Sequence, residues 1–279
     1  MKLPEIPPSV LGEYRILHCL GQGARGVVYE AEHLTTRKRV AIKFMGLPED
    51  MDKDEARQRF EREAVTLSHF RHPHIVGFEG RGEIQWDGLT VPYLAMEYLP
   101  SLRTLDQAAP HYSRDWVLDR LEELLGALEY MHTHADPVVH RDLKPANLGI
   151  PDDGRLRVLD LGLARVKMSE LTNQGAAMGS LGYMAPEQLM DAKKVDQRAD
   201  IYSVGMIMLE LLGGHPLRNM TSGRTVKAVI SGHIPPTPEP IPEPLDRLAR
   251  WWCALSPRER PASANAALRE LRGVRQRSR

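Results

Sequence analysis

A short stretch in the middle of the chain combines the side chains that transfer of a phosphoryl group requires. The run His-Arg-Asp-Leu-Lys-Pro-Ala-Asn occupies residues 140–147, and a second acidic turn, Asp-Leu-Gly, begins at Asp160. Asp142 can orient an acceptor hydroxyl and accept its proton, and Lys144 can neutralise charge that develops on the transferred group. Asn147 and Asp160 supply hard oxygen ligands suited to Mg²⁺. Each residue alone would be an ordinary loop former, but the joint spacing indicates a phosphoryl-transfer site.

A glycine-rich turn near the N-terminus is a second candidate site, because glycines let backbone N–H groups approach phosphate oxygens. A dinucleotide-binding turn would open a helix and be followed by an acidic residue about 20 residues later. Here β-branched residues follow, and Lys43 occupies the later position, so the pattern argues against a dinucleotide site. The residues of the turn that could contact a nucleotide are Leu20, Gly21, Gln22, Gly23, Ala24, Arg25, Gly26, Val27 and Val28.

Lys43 lies in the β-type run Val-Ala-Ile-Lys-Phe at residues 40–44. One interpretation is a surface lysine on an edge strand, which is a common setting for lysine. The other is a cation that reaches phosphate oxygens while a carboxylate holds it in place. Glu63, on the helical segment that follows, is the natural partner, although Glu55 and Glu61 are also near in sequence.

The composition excludes several classes of protein. The chain has 37 Lys and Arg residues and 37 Asp and Glu residues, so charge alone gives no reason to expect a nucleic-acid or membrane partner. Its two cysteines, Cys19 and Cys253, cannot build a disulfide framework or a zinc site, which favours a reducing compartment. No apolar run approaches the roughly 20 residues of a membrane-spanning helix, and the first residues lack the apolar core of a signal peptide. We therefore expect a cytoplasmic protein with no membrane segment and no nucleic-acid partner.

The hydrophobic pattern divides the chain into two regions. In the N-terminal part the apolar residues form short β-type runs, interrupted by one amphipathic helix over residues 53–70. Beyond it the pattern is helical, apart from short strands and loops over residues 138–163 and a proline-rich, irregular connection over 235–244. This predicts a smaller, mainly β N-terminal lobe and a larger helical C-terminal lobe, joined near residues 97–103. The predicted helices of the second region cover residues 116–131, 199–212, 245–255 and 262–271.

Taken together, these motifs resemble the eukaryotic-type (Hanks-type) protein kinase family, in its serine/threonine branch and its bacterial versions. The resemblance covers roughly Tyr14 to Arg272. Ala-Pro-Glu at residues 185–187 matches the end of the family's activation segment, Asp200 matches a buried aspartate, and Arg260 resembles the partner of Glu187. The resemblance implies an α+β, bilobal protein-kinase fold with one key helix in the N-lobe. The implied domains are an extended lead-in over residues 1–12, a kinase domain over 13–272 with an N-lobe of about 13–98 and a C-lobe of about 103–272, and a basic tail over 273–279.

The resemblance also assigns roles to individual residues. The catalytic residues that it implies are Asp142, Lys144, Lys43 and Glu63. The Mg²⁺ ligands that it implies are Asn147 and Asp160. Besides the glycine-rich turn, the nucleotide contacts that it implies are Ala41, Met96 as gatekeeper, Glu97 and Leu99 in the hinge, and Gly149.

Three further residues are implied in regulation. Thr172 is the first candidate for phosphorylation, ahead of Ser169, although an ordinary loop threonine is an equal alternative. Arg141 would pair with the resulting phosphate and order the activation segment. Ser180 would place a hydroxyl against the catalytic aspartate and lysine.

Gly149 departs from the family's pattern. The family usually has a large aliphatic residue at this position, which packs beneath adenine. Glycine removes that packing, at a cost of about 1–3 kcal/mol of nucleotide binding. We therefore expect a roomier nucleotide pocket, compensated in part by Leu148 or Ile150, in which leucine at position 149 would tighten ATP binding. The hinge continuation, residues 100–103, also lacks an acid for the ribose hydroxyls.

The implied function is that of an ATP- and Mg²⁺-dependent protein serine/threonine kinase. It would transfer the γ-phosphoryl group to Ser/Thr hydroxyls of a protein substrate and autophosphorylate its activation segment, with dimerisation as a route to transfer in trans. The alternative is an ATP-binding, pseudokinase-like scaffold with weak or no transfer. All the catalytic and metal-binding residue types are present, which disfavours the scaffold. A kinase of small molecules is disfavoured because that class normally lacks the segment that ends in Ala-Pro-Glu.

Overall fold

The structure is a computed structural model, and its description covers most of the chain in eight segments. The chain divides into two compact units, Met1–Ser101 and Leu102–Arg279. The described residues are 10–23, 26–45, 53–86, 89–107, 112–161, 178–190, 195–214 and 222–277.

The first unit contains one antiparallel sheet of six strands in the order β1-β2-β3-β4-β6-β5. Because β4 pairs with β3 on one side and with β6 on the other, it is an interior strand. One face of the sheet packs into a core that includes Tyr14, Ile16, Ile42 and Phe44. The strands are β1 (Val10–Leu11), β2 (Tyr14–Gly23), β3 (Gly26–His33), β4 (Arg39–Met45), β5 (Phe78–Trp86) and β6 (Leu89–Glu97).

Helix α1 (Lys53–His69) is the amphipathic helix predicted for the first unit. Its residues Ala56, Phe60, Ala64 and Leu67 recur at helical spacing and are all buried. The predicted boundaries differ from the observed ones by one residue at the C-terminal end. The helix therefore has one fixed buried face, which determines where the residues bordering that face can point.

The second unit is helical, with one small sheet of three strands in the order β7-β8-β9. Helix α4 (Arg198–Gly213) is buried nearly all round, as its continuous apolar sequence predicts. The helices are α2 (Arg114–Thr133), α3 (Pro186–Met190), α4 (Arg198–Gly213), α5 (Ser222–Ile230), α6 (Glu243–Trp252) and α7 (Ala264–Arg277). The strands are β7 (Arg103–Thr104), β8 (Leu148–Ile150) and β9 (Arg157–Val158). Short 3-10 turns cover Pro145–Asn147, Met178–Tyr183 and Pro257–Glu259.

Several details of the second unit differ from the sequence-based prediction, among them the last helix, which runs to Arg277 through most of the predicted basic tail. The proline-rich connection was expected to stay irregular through Pro244, but α6 begins at Glu243. Proline is tolerated in the first turn of a helix because the N–H group that it lacks would have no intrahelical acceptor there. Helix α5 was not predicted, because its buried residues, Thr225, Ala228 and Val229, include no large apolar side chain.

The predicted α+β class is confirmed, with a mainly β first unit that holds one long helix and a helical second unit. Among the residues that the structure describes, no helix is both long and apolar enough to cross a membrane.

Candidate active site

Lys43 is held in the middle of the first unit's sheet. On β4 it lies opposite Val28 of β3 and opposite Leu94 of β6, and only 8% of its surface is exposed. The interpretation as a surface lysine on an edge strand is therefore wrong. Its Nζ donates a hydrogen bond of 2.7 Å to Oε1 of Glu63. The ammonium group is thus fixed by a carboxylate, as the motif predicted.

Helix α1 explains why Glu63 is the partner. It directly precedes Ala64 on the buried face, so it lies at the border of that face, and its side chain is only 16% exposed. Glu61 points to solvent instead and pairs with Arg57 on the same helix at 3.1 Å. The side chain of Glu55, the third candidate, lies outside the described residues.

Four of the predicted nucleotide-contacting residues lie on one face of the sheet. Val28 is directly opposite Lys43, and Ala41 is directly opposite Met96. Residues opposite each other in antiparallel strands share a face, as do residues two apart along a strand. Val27 belongs to the other face, where its side chain packs in the core. The side chain of Val27 therefore packs in the core, and a nucleotide contact through the backbone of this residue stays a prediction.

The glycine-rich turn is the hairpin that connects β2 and β3. Gly23 pairs with Gly26 at its base, and Gly26 has a φ of 134°, which an L-residue rarely adopts. A Cβ at Gly21 would meet no heavy atom within 4 Å, so packing does not require glycine there. Ala24 and Arg25 lie outside the described residues.

The hinge candidates follow along β6. The Glu97 N–H donates to the carbonyl of Gly77 at 2.8 Å, and Glu97 Oε2 accepts the N–H of Gly77 at 3.1 Å. Leu99, just after the strand, is buried. One oxygen of the Glu97 carboxylate is thus used within the first unit.

In the second unit, the side chains of the catalytic motif converge on Asp142. Lys144 Nζ lies 3.3 Å from Asp142 Oδ2. Asn147 Nδ2 donates to the same oxygen at 3.0 Å and to the Asp142 carbonyl at 2.7 Å. The 3-10 turn Pro145–Asn147 brings the asparagine back over the aspartate. Both hydrogen bonds use Nδ2, so neither engages Oδ1, the atom that could bind a cation.

The loop that carries Asp142 is anchored by a buried carboxylate on α4. Asp200, with no exposed surface, accepts the backbone N–H groups of His140 and Arg141, each at 2.8 Å, and the Nε2–H of His132 at 2.8 Å. Burial raises the pKa of Asp200. The hydrogen bond and charge of His132, the charge of His140 and the Arg141 N–H outweigh burial, and the pKa lies below its ordinary value. The carboxylate is therefore kept ionised.

Arg141 has an unusual backbone, with a φ of 65°. Its carbonyl accepts from Gln188 Nε2 at 2.8 Å, and its guanidinium donates to the Val195 carbonyl at 3.3 Å. Its predicted phosphate partner, Thr172, lies outside the described residues, as does Ser169. Ser180 falls in the 3-10 turn Met178–Tyr183, but its side chain also lies outside them.

The predicted pair of Glu187 and Arg260 is present. Arg260 Nη1 and Nη2 donate to the two carboxylate oxygens at 2.7 and 2.9 Å, and the arginine side chain is fully buried. Such a two-point arrangement fixes orientation as well as charge. It ties the segment after residue 185 to the C-terminal part of the second unit.

Asp160 follows β9, whose neighbour β8 begins directly after Asn147. The Leu159 N–H donates a hydrogen bond of 3.0 Å to the Asn147 carbonyl. Asp160, the next residue, therefore follows directly after a residue that is hydrogen-bonded to Asn147. No cluster of three or more His, Cys, Asp or Glu side chains with metal-binding geometry occurs among the described residues. Mg²⁺ fits this donor set nevertheless, because it is typically bound by one or two protein oxygens together with substrate phosphates and water.

The space expected at Gly149 is filled. A Cβ built on Gly149 would lie 2.5 Å from Leu102 Cδ1 and 3.0 Å from Leu159 Cδ1. The expectation of open space beside Gly149 is therefore wrong, because the flexible ends of the Leu102 and Leu159 side chains occupy it; the expected effect of leucine on ATP binding stays a prediction. The side chains that approach this position are those of Leu102 and Leu159, and compensation by Leu148 or Ile150 stays a prediction.

Two contacts near the catalytic motif had not been predicted, that of Leu102 with Gly149 and that of His132 with Asp200. Leu102 gave no sequence signal, because its contact with β8 depends on how the chain folds back. His132 did give one, since a histidine on the apolar face of α2 usually has a buried polar partner. That partner is Asp200.

The comparisons with known proteins identify the family to which the chain belongs. The protein kinase domain family matches residues 14–270. A probable serine/threonine-protein kinase of Streptomyces coelicolor is 35% identical over 218 residues, which is 76% of this chain and 32% of that protein. PknH of Mycobacterium bovis is 32% identical over 265 residues, 92% of this chain and 43% of that protein. PknD of Mycobacterium tuberculosis is 33% identical over 265 residues, 92% of this chain and 39% of that protein.

The chain therefore spans less than half the length of these relatives, all of them bacterial. The family match, by contrast, extends over nearly all of the chain. The chain belongs to the protein kinase family, and its resemblance to the bacterial, Hanks-type serine/threonine branch of that family is confirmed.

Proposed function

We propose that this chain is an ATP- and Mg²⁺-dependent kinase that transfers the γ-phosphoryl group of ATP to Ser/Thr hydroxyls of proteins. The observation that carries the proposal is the arrangement around Asp142, whose Oδ2 lies within 3.3 Å of Lys144 Nζ and 3.0 Å of Asn147 Nδ2. A carboxylate held this way has a fixed orientation, which is what a residue that positions a hydroxyl needs.

In the first unit, Lys43 would bind phosphate oxygens of the nucleotide, with Glu63 keeping its ammonium group in place. The N–H groups of the glycine-rich turn would contact the phosphates as well. Val28, Ala41 and Met96, on the same face as Lys43, offer the apolar surface that a purine requires.

In the second unit, Asp142 would orient the acceptor hydroxyl and accept its proton, while Lys144 would offset the charge of the transferred group. Asn147 Oδ1 and the Asp160 carboxylate would hold Mg²⁺, which neutralises charge on the phosphate oxygens when it is bound. The anchoring of the loop by Asp200 supports this assignment, because the geometry then exists before substrate arrives.

The choice of Ser/Thr hydroxyls rests on the motif around Lys144 and on the relatives, which are named serine/threonine-protein kinases. We further propose autophosphorylation of the activation segment, with Thr172 as the first candidate and Arg141 as the partner of the phosphate. A tagged Asp142→Asn chain mixed with the untagged active chain tests transfer in trans, since label on the tagged chain requires a second copy.

The decisive experiment incubates the purified chain with γ-labelled ATP and Mg²⁺, beside Asp142→Asn and the exposed-residue control Asp152→Asn. We expect label on Ser or Thr in the wild type and the control, and a loss of about 10³-fold or more in Asp142→Asn. Transfer that survives Asp142→Asn would contradict the proposal. Stabilisation by nucleotide without any transfer in the wild type would favour the scaffold instead.

A further inference from the structure

A leucine from outside the catalytic loop covers the one glycine that interrupts the apolar surface of β8. Gly149 is buried, and a Cβ built on it would lie 2.5 Å from Leu102 Cδ1. Real Cβ atoms essentially never approach another heavy atom so closely. The Leu102 side chain therefore occupies the volume that a side chain at position 149 would need.

The backbone holds Leu102 in this position. Thr104 of β7 pairs with Gly149 of β8, and the Leu105 N–H donates to the Leu148 carbonyl at 2.9 Å. Ser101 has a φ of 52°, a left-handed conformation that L-residues rarely adopt. The turn at Ser101 and the pairing of β7 thus fix the leucine between them.

Leu102 is only partly covered by these contacts. Its exposed fraction is 37%, which is large for a leucine that also packs against a buried strand. The strand beneath it begins directly after Asn147, and two strand residues span about 6.6 Å. Leu159, the other side chain at Gly149, directly precedes Asp160. An apolar surface with two leucines therefore adjoins both proposed Mg²⁺ ligands.

We propose that Leu102 is the side chain of the second unit against which the purine of ATP packs, in place of a side chain at position 149. The inference rests on the proposed function, because it assumes that the chain binds ATP. A nucleotide whose phosphates meet Asn147 and Asp160 carries its base a few ångströms away, where the exposed side of Leu102 offers apolar contact. The contribution of the base to the affinity for ATP then depends on residue 102.

The test measures dissociation constants for Mg·ATP and for Mg·tripolyphosphate, which carries phosphates but no base, by isothermal titration calorimetry. Leu102→Ala is expected to weaken ATP binding about tenfold, the effect of losing one partly buried leucine contact. Its affinity for tripolyphosphate is expected to stay within about twofold of the wild type. Leu255→Ala, with a leucine that is 45% exposed elsewhere in the second unit, is the matched control and should change neither constant.

A swap of side chains makes the test specific. Gly149→Leu alone is expected to lower the melting temperature and weaken ATP binding, because the new side chain collides with Leu102. Leu102→Ala combined with Gly149→Leu removes that collision and should restore ATP affinity to within about threefold of the wild type. Leu159, whose nearest atom would lie 3.0 Å from the new Cβ, need give way by only a few tenths of an ångström.

Three outcomes would overturn the inference. Unchanged ATP affinity in Leu102→Ala, in a chain that binds ATP and transfers phosphate, would refute the inference while leaving the proposed function intact. Equal weakening of ATP and tripolyphosphate would show that Leu102 acts only through folding. Absence of ATP binding by the wild type would refute the proposed function and the inference together.

Discussion

Nζ of Lys43 lies 2.7 Å from Oε1 of Glu63, and the two side chains are only 11% and 16% exposed. The pair joins the central strand β4 to helix α1 within the first unit. Because both charges are largely removed from water, each depends on its neighbours to remain in place, and loss of one destabilises the position of the other.

Replacing Glu63 by glutamine should uncouple Lys43 from the helix while keeping the volume of the side chain. We expect kcat/KM for ATP to fall about 10–100-fold, because the ammonium group is no longer held where phosphate oxygens would meet it. Steady-state kinetics with varied ATP measures the effect. Glu61→Gln, on the exposed side of the same helix, is the control, and an equal loss in both variants would contradict a role specific to Glu63.

Arg260→Lys should destabilise the second unit although it keeps the positive charge. Lysine cannot reproduce the two-point bond to Glu187, the further hydrogen bonds to three backbone carbonyls, or the stacking 5.0 Å above the Tyr202 ring. We expect a loss of about 2–4 kcal/mol of unfolding free energy by denaturant titration. Arg247→Lys changes a pair that is largely exposed and should have no measurable effect. An unchanged free energy of unfolding in Arg260→Lys would show that a positive charge at this position is enough for stability.

Asp200→Asn should be strongly destabilising at neutral pH, because asparagine cannot accept from His132 and two backbone N–H groups at once. We expect a loss of about 3–5 kcal/mol of unfolding free energy. The native pKa of Asp200 lies below its unfolded value of about 3.9. The contribution of this carboxylate to the free energy of unfolding is therefore complete above a pH of about 3.9, and it is lost as the pH falls through the native pKa.

Denaturant titrations between pH 2 and 7 check the sign of this linkage. At low pH, the free energy of unfolding should fall less steeply with decreasing pH in Asp200→Asn than in the wild type, by up to about 1.4 kcal/mol per pH unit. Asp153→Asn is a contrasting control, because the pKa of this carboxyl is also lowered, first by the Arg155 N–H, yet the side chain is largely exposed. A large neutral-pH loss in Asp153→Asn, or identical acid limbs in Asp200→Asn and the wild type, would contradict the prediction.

Two glycines within helices should respond in opposite directions to alanine. Gly126 on α2 has open space where a Cβ would lie, so Gly126→Ala should stabilise the chain by about 0.5–1 kcal/mol through helix propensity. At Gly205 on α4 the same atom would lie 2.6 Å from Cys253 Sγ and 2.9 Å from the Ala249 carbonyl. Gly205→Ala should therefore cost about 1–3 kcal/mol. Thermal unfolding of both variants measures the difference, and equal shifts would mean that α4 and α6 can separate freely.

Local patterns were enough to predict much of the fold. Phe60, Ala64 and Leu67 show a helical period over more than two turns, and the boundaries of α1 follow from it. Asp142, Lys144 and Asn147 lie so close in sequence that a single turn brings them together. Such short-range relations are encoded by spacing alone.

Long-range contacts could not be predicted in the same way. Spacing did not decide between Glu61 and Glu63 as the partner of Lys43, because that choice depends on which face of α1 is buried. The glycine at position 149 was visible, but the leucine that fills its space lies far away in sequence. The sequence shows that position 149 lacks a side chain, whereas the fold is needed to show which other side chain occupies that space.

The left-handed backbone of Arg141 has a consequence for turnover. For an L-residue this conformation costs about 1–2 kcal/mol, and here Asp200 on one side and Gln188 on the other hold it in place. The entropic cost of ordering the neighbouring Asp142 is therefore incurred when the chain folds and is not incurred again when a substrate binds. Each encounter with a substrate then begins with a preorganised carboxylate, so no part of the binding energy is spent on arranging it.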